Sequence, residues 1–179
     1  MLMAIFSFVA CGNNNDSKAE AKSENDAKFD STNIEDDTKF AVDVADAGMF
    51  EVAVSQLALT NASAASVKNF AQMMIDDHSS ANAELKNAAV KKNISLPDTI
   101  SNAKQKKYDD FTTKIGVDFD KAYVDYMTDA HKDAIDAFQK EADKGNDPDL
   151  RSWASGKIPI LEHHLMMAQA ADSTVKNNK

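Results

Sequence analysis

The sequence predicts an all-α protein: an antiparallel four-helix bundle with one short extra helix and a disordered N-terminal tether. Three observations lead there. Apolar residues recur at three- and four-residue spacing over four long stretches. Only 5 Gly and 3 Pro occur among 179 residues, too few for a turn-rich β architecture. The segments between most of the stretches are a few residues long, which suits helices that reverse direction and pack as neighbours. A hydrophobic content of 43% gives a chain of this length enough core for one domain.

Taken in order, residues 1–10 hold an apolar run from Leu2 to Ala10. It has the length of a signal-peptide core and falls short of the ~20 apolar residues that span a bilayer. Phe8-Val9-Ala10-Cys11 resembles a bacterial lipobox, in which the cysteine is lipidated and becomes the mature N-terminus. Phe8 stands where that motif usually has leucine, and no Lys or Arg precedes the run. Cys11 is the only cysteine, so it forms no internal disulfide, and lipidation gives it a role in an oxidising envelope. The alternative is an ordinary cleaved or inert N-terminus. Residues 12–37, GNNNDSKAEAKSENDAKFDSTNIEDD, combine much charge with few large apolar side chains. Such a stretch buries too little surface to order itself, so residues 11–37 are expected to be a lipidated cysteine followed by a flexible acidic tether.

The bundle domain is expected over residues 38–176. Helix one runs from Lys39 to Thr60, with Asp36, Asp37 and Thr38 offering N-cap oxygens and negative charge for its dipole. After a break at Asn61–Ser63, helix two runs from Ala64 to Lys92, where Lys91, Lys92 and the following Pro97 are stop signals. A short third helix spans Asn102 to Ile115, with Ser101 as cap and Gly116 as terminator. Helix four covers Asp118 to Lys144 and stops at Gly145. Helix five opens with Asp147 as cap and Pro148 in the first helical position, continues to Val175, and is expected to kink at Pro159.

The formal charge of −9 disfavours nucleic acid as a partner, since that needs a basic face to displace counterions. Docking on anionic lipid through protein charge is disfavoured for the same reason. Contact with a membrane is therefore expected through the lipid anchor, and nothing singles out a protein partner. The chain has no Gly-rich phosphate loop, Cys-x-x-Cys pair, His-Glu-x-x-His or serine elbow. No motif therefore supports an enzyme.

The informative residues are polar ones inside apolar stripes. On a 3.6-residue period His78 sits among Val67, Ala71, Met74, Leu85 and Ala89, and His131 among Val124, Met127, Ile135 and Phe138. His164 lies among Trp153, Ile160, Ala168 and Ala171, with His163 about 100° away on the same helix. Glu51 shares a face with Phe40, Val44, Ala47, Val54 and Ala58, a little off its centre. Counting residues from the loops brings all four groups to a common middle layer. Burial of such groups is costly unless something pairs with them.

Glu51, His78, His131 and His164 are therefore the candidate ligands of one transition metal ion, for which imidazole favours Zn, Cu or Fe. The Glu-x-x-His spacing of di-iron bundles is missing, because Ile75, Thr128 and Leu161 stand three residues before the histidines. That argues for a mononuclear site. Met74, Met127 and Met167 lie one turn from the histidines; thioether would favour copper, but filling gaps in the core is the simpler role. The competing reading is a metal-free Glu51–His hydrogen-bond network that fixes helix register in a structural or stress-related envelope protein. Asp76, Glu162 and the connector lysines Lys104, Lys106 and Lys107 read as solvated faces.

Five segments carry a resemblance: Ala47-Gly48-Met49-Phe50-Glu51-Val52; Phe70-Ala71-Gln72-Met73-Met74-Ile75-Asp76-Asp77-His78; Gly116-Val117-Asp118-Phe119-Asp120-Lys121-Ala122-Tyr123; His131 followed by Phe138-Gln139-Lys140-Glu141-Ala142; and Ile158-Pro159-Ile160-Leu161-Glu162-His163-His164-Leu165. Over about residues 38–172 they resemble a bacterial family of exported proteins, domain of unknown function 4142. The resemblance implies a ferritin-like helical fold and a periplasmic or outer-membrane setting. It also implies a helix-five histidine directly before leucine, which favours His164 over His163. It implies no activity. The combined expectation is a lipid-anchored protein of the bacterial cell envelope, facing the periplasm, with the outer membrane as its anchor.

Overall fold

The computed structural model describes residues 16–177. The signal-peptide-like segment and Cys11 lie outside the described residues. Within them the chain forms six helices and no strand: α1 (Ser17–Phe29), α2 (Glu35–Asn61), α3 (Ala65–Lys92), α4 (Asn102–Thr112), α5 (Gly116–Lys144) and α6 (Pro148–Asn177). None of them is long and apolar enough to cross a membrane.

The four long helices make a helical bundle. Ala58 and Ala62 at the end of α2 pack with Val67 and Phe70 at the start of α3, while Ala41 and Ala45 pack with Leu85 and Ala89. The two helices are therefore antiparallel. Phe119 and Tyr123 early in α5 likewise meet Ala171 and Val175 late in α6, and Phe138 meets Ala154 and Leu161. The Asn82 carboxamide of α3 packs directly over Gly48 of α2, in the space a Cβ would take, one turn before Glu51.

Buried carboxylates hold the ends of these helices. Asp120 of α5 accepts hydrogen bonds from the backbone N–H groups of Ser63 and Ala64 at 3.0 Å each, and from the Ser63 hydroxyl, at the start of α3. Asp46 of α2 accepts from Ser101 N at 2.7 Å and from Ser101 Oγ at 3.0 Å, just before α4. Asp147 caps α6 through Asp149 N and Leu150 N, both at 3.0 Å. Helix N-termini leave backbone donors unmet, and a carboxylate both satisfies them and answers the dipole.

The structure corrects several expectations. Helix α2 begins at Glu35, four residues early, with Glu35, Asp36 and Asp37 in its first turn. Asp37 caps a different helix: its carboxylate accepts from Asn146 N at 3.0 Å and Asp147 N at 2.6 Å before α6. Gly116, with φ +62, opens α5 and does not terminate α4, which ends at Thr112. Pro159 lies inside α6, and the helix continues through it as expected.

The largest correction concerns the expected tether. Residues 17–29 form α1, capped by Asp16, whose Oδ1 accepts from Ala19 N at 3.1 Å. The helix is docked chiefly through polar groups. Buried Asn25 donates to Ser95 O at 2.8 Å and accepts from Ser95 N at 2.7 Å. Lys18 pairs with Asp43 at 3.0 Å and Asp46 at 3.2 Å, and Lys22 with Asp43 at 2.8 Å. Of its apolar residues, Ala21 is buried and Phe29 packs partly against the Ala41 cluster. A segment ordered in this way carries almost no hydropathy signal.

Candidate metal centre

A polar layer interrupts the core at mid-height. On α3, His78 lies between Met74 of one apolar cluster and Leu85 of another; on α5, His131 lies between Met127 and Phe138; on α6, His164 lies between Ala168 and Leu161. His131 is 0%, His164 1% and His78 8% exposed. Each offers one ring nitrogen such that all three nitrogens fall within 4.8 Å of one another. The rings are splayed, with centroids 5.2 to 5.7 Å apart.

The outer nitrogen of each ring is already engaged. His131 Nδ1–H donates to the Met127 carbonyl one turn back at 2.8 Å. His164 Nε2–H donates to Asp77 Oδ2 at 2.9 Å. His78 Nδ1 faces Glu51 Oε2 at 3.1 Å. The Met127 carbonyl and the Asp77 carboxylate accept from His131 and His164, so in neutral rings those two protons sit on the outer nitrogens, and the Glu51 carboxylate beside His78 Nδ1 favours the same tautomer there. Lone pairs are left on His131 Nε2, His164 Nδ1 and His78 Nε2.

Those lone pairs have no donor to meet. His131 Nε2 and His164 Nδ1 face each other at 3.3 Å, two acceptors at hydrogen-bond distance. His78 Nε2 is buried with no hydrogen-bond partner. Burial pushes all three imidazoles down, His78 to about 4, against the pull of Asp77 on His78 and His164 and of Glu51 on His131. An extra proton is thus disfavoured, and a cation that accepts lone pairs fits what remains. Zn–N bonds of about 2.1 Å in a tetrahedron put ligand nitrogens about 3.4 Å apart. The His131–His164 pair already has that spacing, and His78 needs a shift of the order of 1 Å. The backing of each ring by a carbonyl or carboxylate is the usual outer support of a histidine ligand.

Glu51 is brought to the cluster, but it sits behind His78 at Nδ1 and outside the group of three nitrogens. Its off-centre position on the α2 stripe turns it toward His78. Burial pushes its carboxyl up, opposed by His131 and Lys104. His163 is exposed, as are Asp76 and Glu162. Asp77 escaped sequence reasoning because it sits at the edge of the α3 stripe. Its one signal is position: an acid next to a core histidine, on the side that α6 covers.

Lys104 also departs from its expected solvated role. It is half-buried, donates to the Tyr126 hydroxyl at 2.7 Å, and lies 4.9 Å from the Phe50 ring centroid. A cleft of about 1350 Å³ runs along α2 and α5, with Glu51, His78, His164, Lys104 and Tyr126 all on its wall. Phe40, Phe138 and Trp153 line its apolar part. Concave sites with an apolar wall and a few convergent polar groups are the usual form of small-molecule pockets.

Fold and site together define a helical bundle with three buried imidazoles that could hold a metal ion. The family described as "Domain of unknown function (DUF4142)" matches residues 18–171, and the chain belongs to that family. The match includes nearly all of α1 as well as the long helices. No curated protein and no solved structure matches the chain.

Proposed function

We propose that this is a metal-binding protein of the bacterial cell envelope, in which a ferritin-like bundle holds one Zn, Cu or Fe ion through His78, His131 and His164. The observation that carries the reading is the convergence of three buried ring nitrogens within 4.8 Å of one another. Two of them oppose each other at 3.3 Å and the third is buried without a partner, an arrangement a closed hydrogen-bond network has no reason to adopt. Glu51 and Asp77 orient the rings of His78 and His164 and raise their basicity; the Met127 carbonyl does the same for His131. The lipobox-like Phe8-Val9-Ala10-Cys11 supports a lipid anchor at Cys11 and an outer-membrane location facing the periplasm. Binding is the whole of the proposal.

Metal analysis of the full chain, purified and then equilibrated with Zn, Cu or Fe, tests this. One ion per chain is expected, and it is lost in a His78→Ala/His131→Ala/His164→Ala variant that retains its helical circular dichroism. A folded wild-type chain that takes up none of the three metals overturns the proposal. The alternative, a register-fixing hydrogen-bond network in a structural envelope protein, would then stand.

A further inference from the structure

We infer that the end of the cleft between the start of α2 and the end of α5 is a second binding site, which takes a primary amine with an apolar body. The ammonium goes to Glu141, and the body lies along Phe40 and Trp153. This site does not depend on the metal reading. Glu141 is 6% exposed, and its Oε1 has no hydrogen-bond partner although the residue is on the cleft wall. Asp37, beside it, spends its carboxylate on the backbone N–H groups of Asn146 and Asp147. Among the described residues no basic nitrogen lies within 4.0 Å of either carboxyl. A buried acid without donor or counter-charge is costly, and an ammonium supplies both.

One turn from each acid stands an aromatic ring. Phe40 follows Asp37 on α2 and Phe138 precedes Glu141 on α5, with centroids 5.1 Å apart, and Trp153 meets Phe138 at 5.5 Å. Phe40 and Trp153 are only half-buried, so they bring open apolar surface and π faces to the cleft beside the acids. Acidic side chains outnumber lysines along the whole cleft wall, which favours a cation over an anion. Glu141 Oε1 lies against Gly145, where a Cβ would stand. Binding turns the carboxyl from there toward the cleft that the residue already lines. A quaternary ammonium lacks the N–H that Oε1 needs, an inorganic cation makes no use of the rings, and a neutral ligand brings no counter-charge. Burial, with Asp37 and Asp147, holds Glu141 up at about 7 against Arg151 and Lys140, while Lys92 of α3 is engaged with Asp147 at 2.7 Å. Glu141 therefore loses its proton between pH 5 and pH 8, and ammonium binding strengthens over that range.

Trp153 is the only tryptophan, so its fluorescence reports this site in the full chain. Titration with 2-phenylethylamine is expected to give a saturable change, with affinity at least tenfold higher at pH 8 than at pH 5. Glu141→Gln, with its helical circular dichroism retained, is expected to lose that rise and to bind the amine at least tenfold more weakly at pH 8. The uncharged analogue 2-phenylethanol is expected to bind weakly and equally to both proteins. No saturable response to the amine, by fluorescence or calorimetry, overturns the inference. So does equal affinity at pH 8 for amine and alcohol, or for the amine in wild type and Glu141→Gln, either of which leaves an apolar cleft alone.

Discussion

The bundle buries two kinds of polar chemistry, and they differ in whether they are closed. Asp120, Asp46 and Asp37 are each 1% exposed, and each spends its carboxylate on backbone N–H groups at the start of another helix. The histidine layer is as deeply buried, yet it ends inward on three lone pairs. Buried acceptors without donors are costly, whereas the aspartates repay their burial by finishing helix ends. Depth is the same in both regions, so burial alone does not distinguish scaffold from site. What distinguishes them is whether every donor and acceptor has been matched within the chain.

The contrast is most sharply tested at its closed end. Asp120→Ala removes three hydrogen bonds from the start of α3 and is expected to cost about 3 kcal/mol of stability, read from urea denaturation. Metal uptake per folded chain is expected to be unchanged. If uptake falls in proportion to stability, the two regions are one unit and the distinction fails.

A second variant probes the open end. Asp77 hydrogen-bonds His164 Nε2 and reaches His78 only through its charge, and its side chain is 44% exposed. Asp77→Asn is therefore expected to leave stability of the metal-free protein within about 0.5 kcal/mol while weakening metal affinity about 10- to 100-fold. Competition with a chromophoric chelator measures the affinity. An unchanged value would mean that Asp77 merely covers the ring.

Glu141 is the intermediate case and gives the smallest effect. It is buried, its Oε1 has no hydrogen-bond partner, and burial together with Asp37 and Asp147 raises its pKa to about 7, against Arg151 and Lys140. Between the ordinary 4.5 and about 7 the folded chain holds a proton that the unfolded chain has lost. This contribution to stability is full below the unfolded value and disappears as pH rises through about 7. Glu141→Gln lacks that loss, so its stability relative to wild type should rise by roughly 1 kcal/mol from pH 5 to pH 8, with solvent screening allowed for. Thermal melts at the two pH values check the sign; a constant difference refutes the assignment.

The parts legible in the sequence share one property: they are written in apolar periodicity. The stripes of α3, α5 and α6 place His78, His131 and His164 inward, and the four long helices follow from the same pattern. Three features did not follow. Helix α1 is secured by Asn25, Lys18 and Lys22, side chains that count toward disorder in any reading of composition. The role of Asp77 depends on the register of α3 against α6, and that of Lys104 on where α4 lies across Phe50 and Tyr126. Such pairings between helices leave no trace in the spacing along either one.

The polar docking of α1 carries order toward the N-terminus as far as Asp16, the first described residue, and so limits the reach of the proposed anchor at Cys11. Asp16 Oδ2 accepts from Asn102 N at 2.8 Å, which ties the start of α1 to the start of α4. Five peptide steps of ~3.6 Å allow at most about 18 Å between the two positions. With an acyl group on Cys11, this leash is too short for the domain to roam. The tie point at Asp16 would then stay within about two Debye lengths of the headgroups.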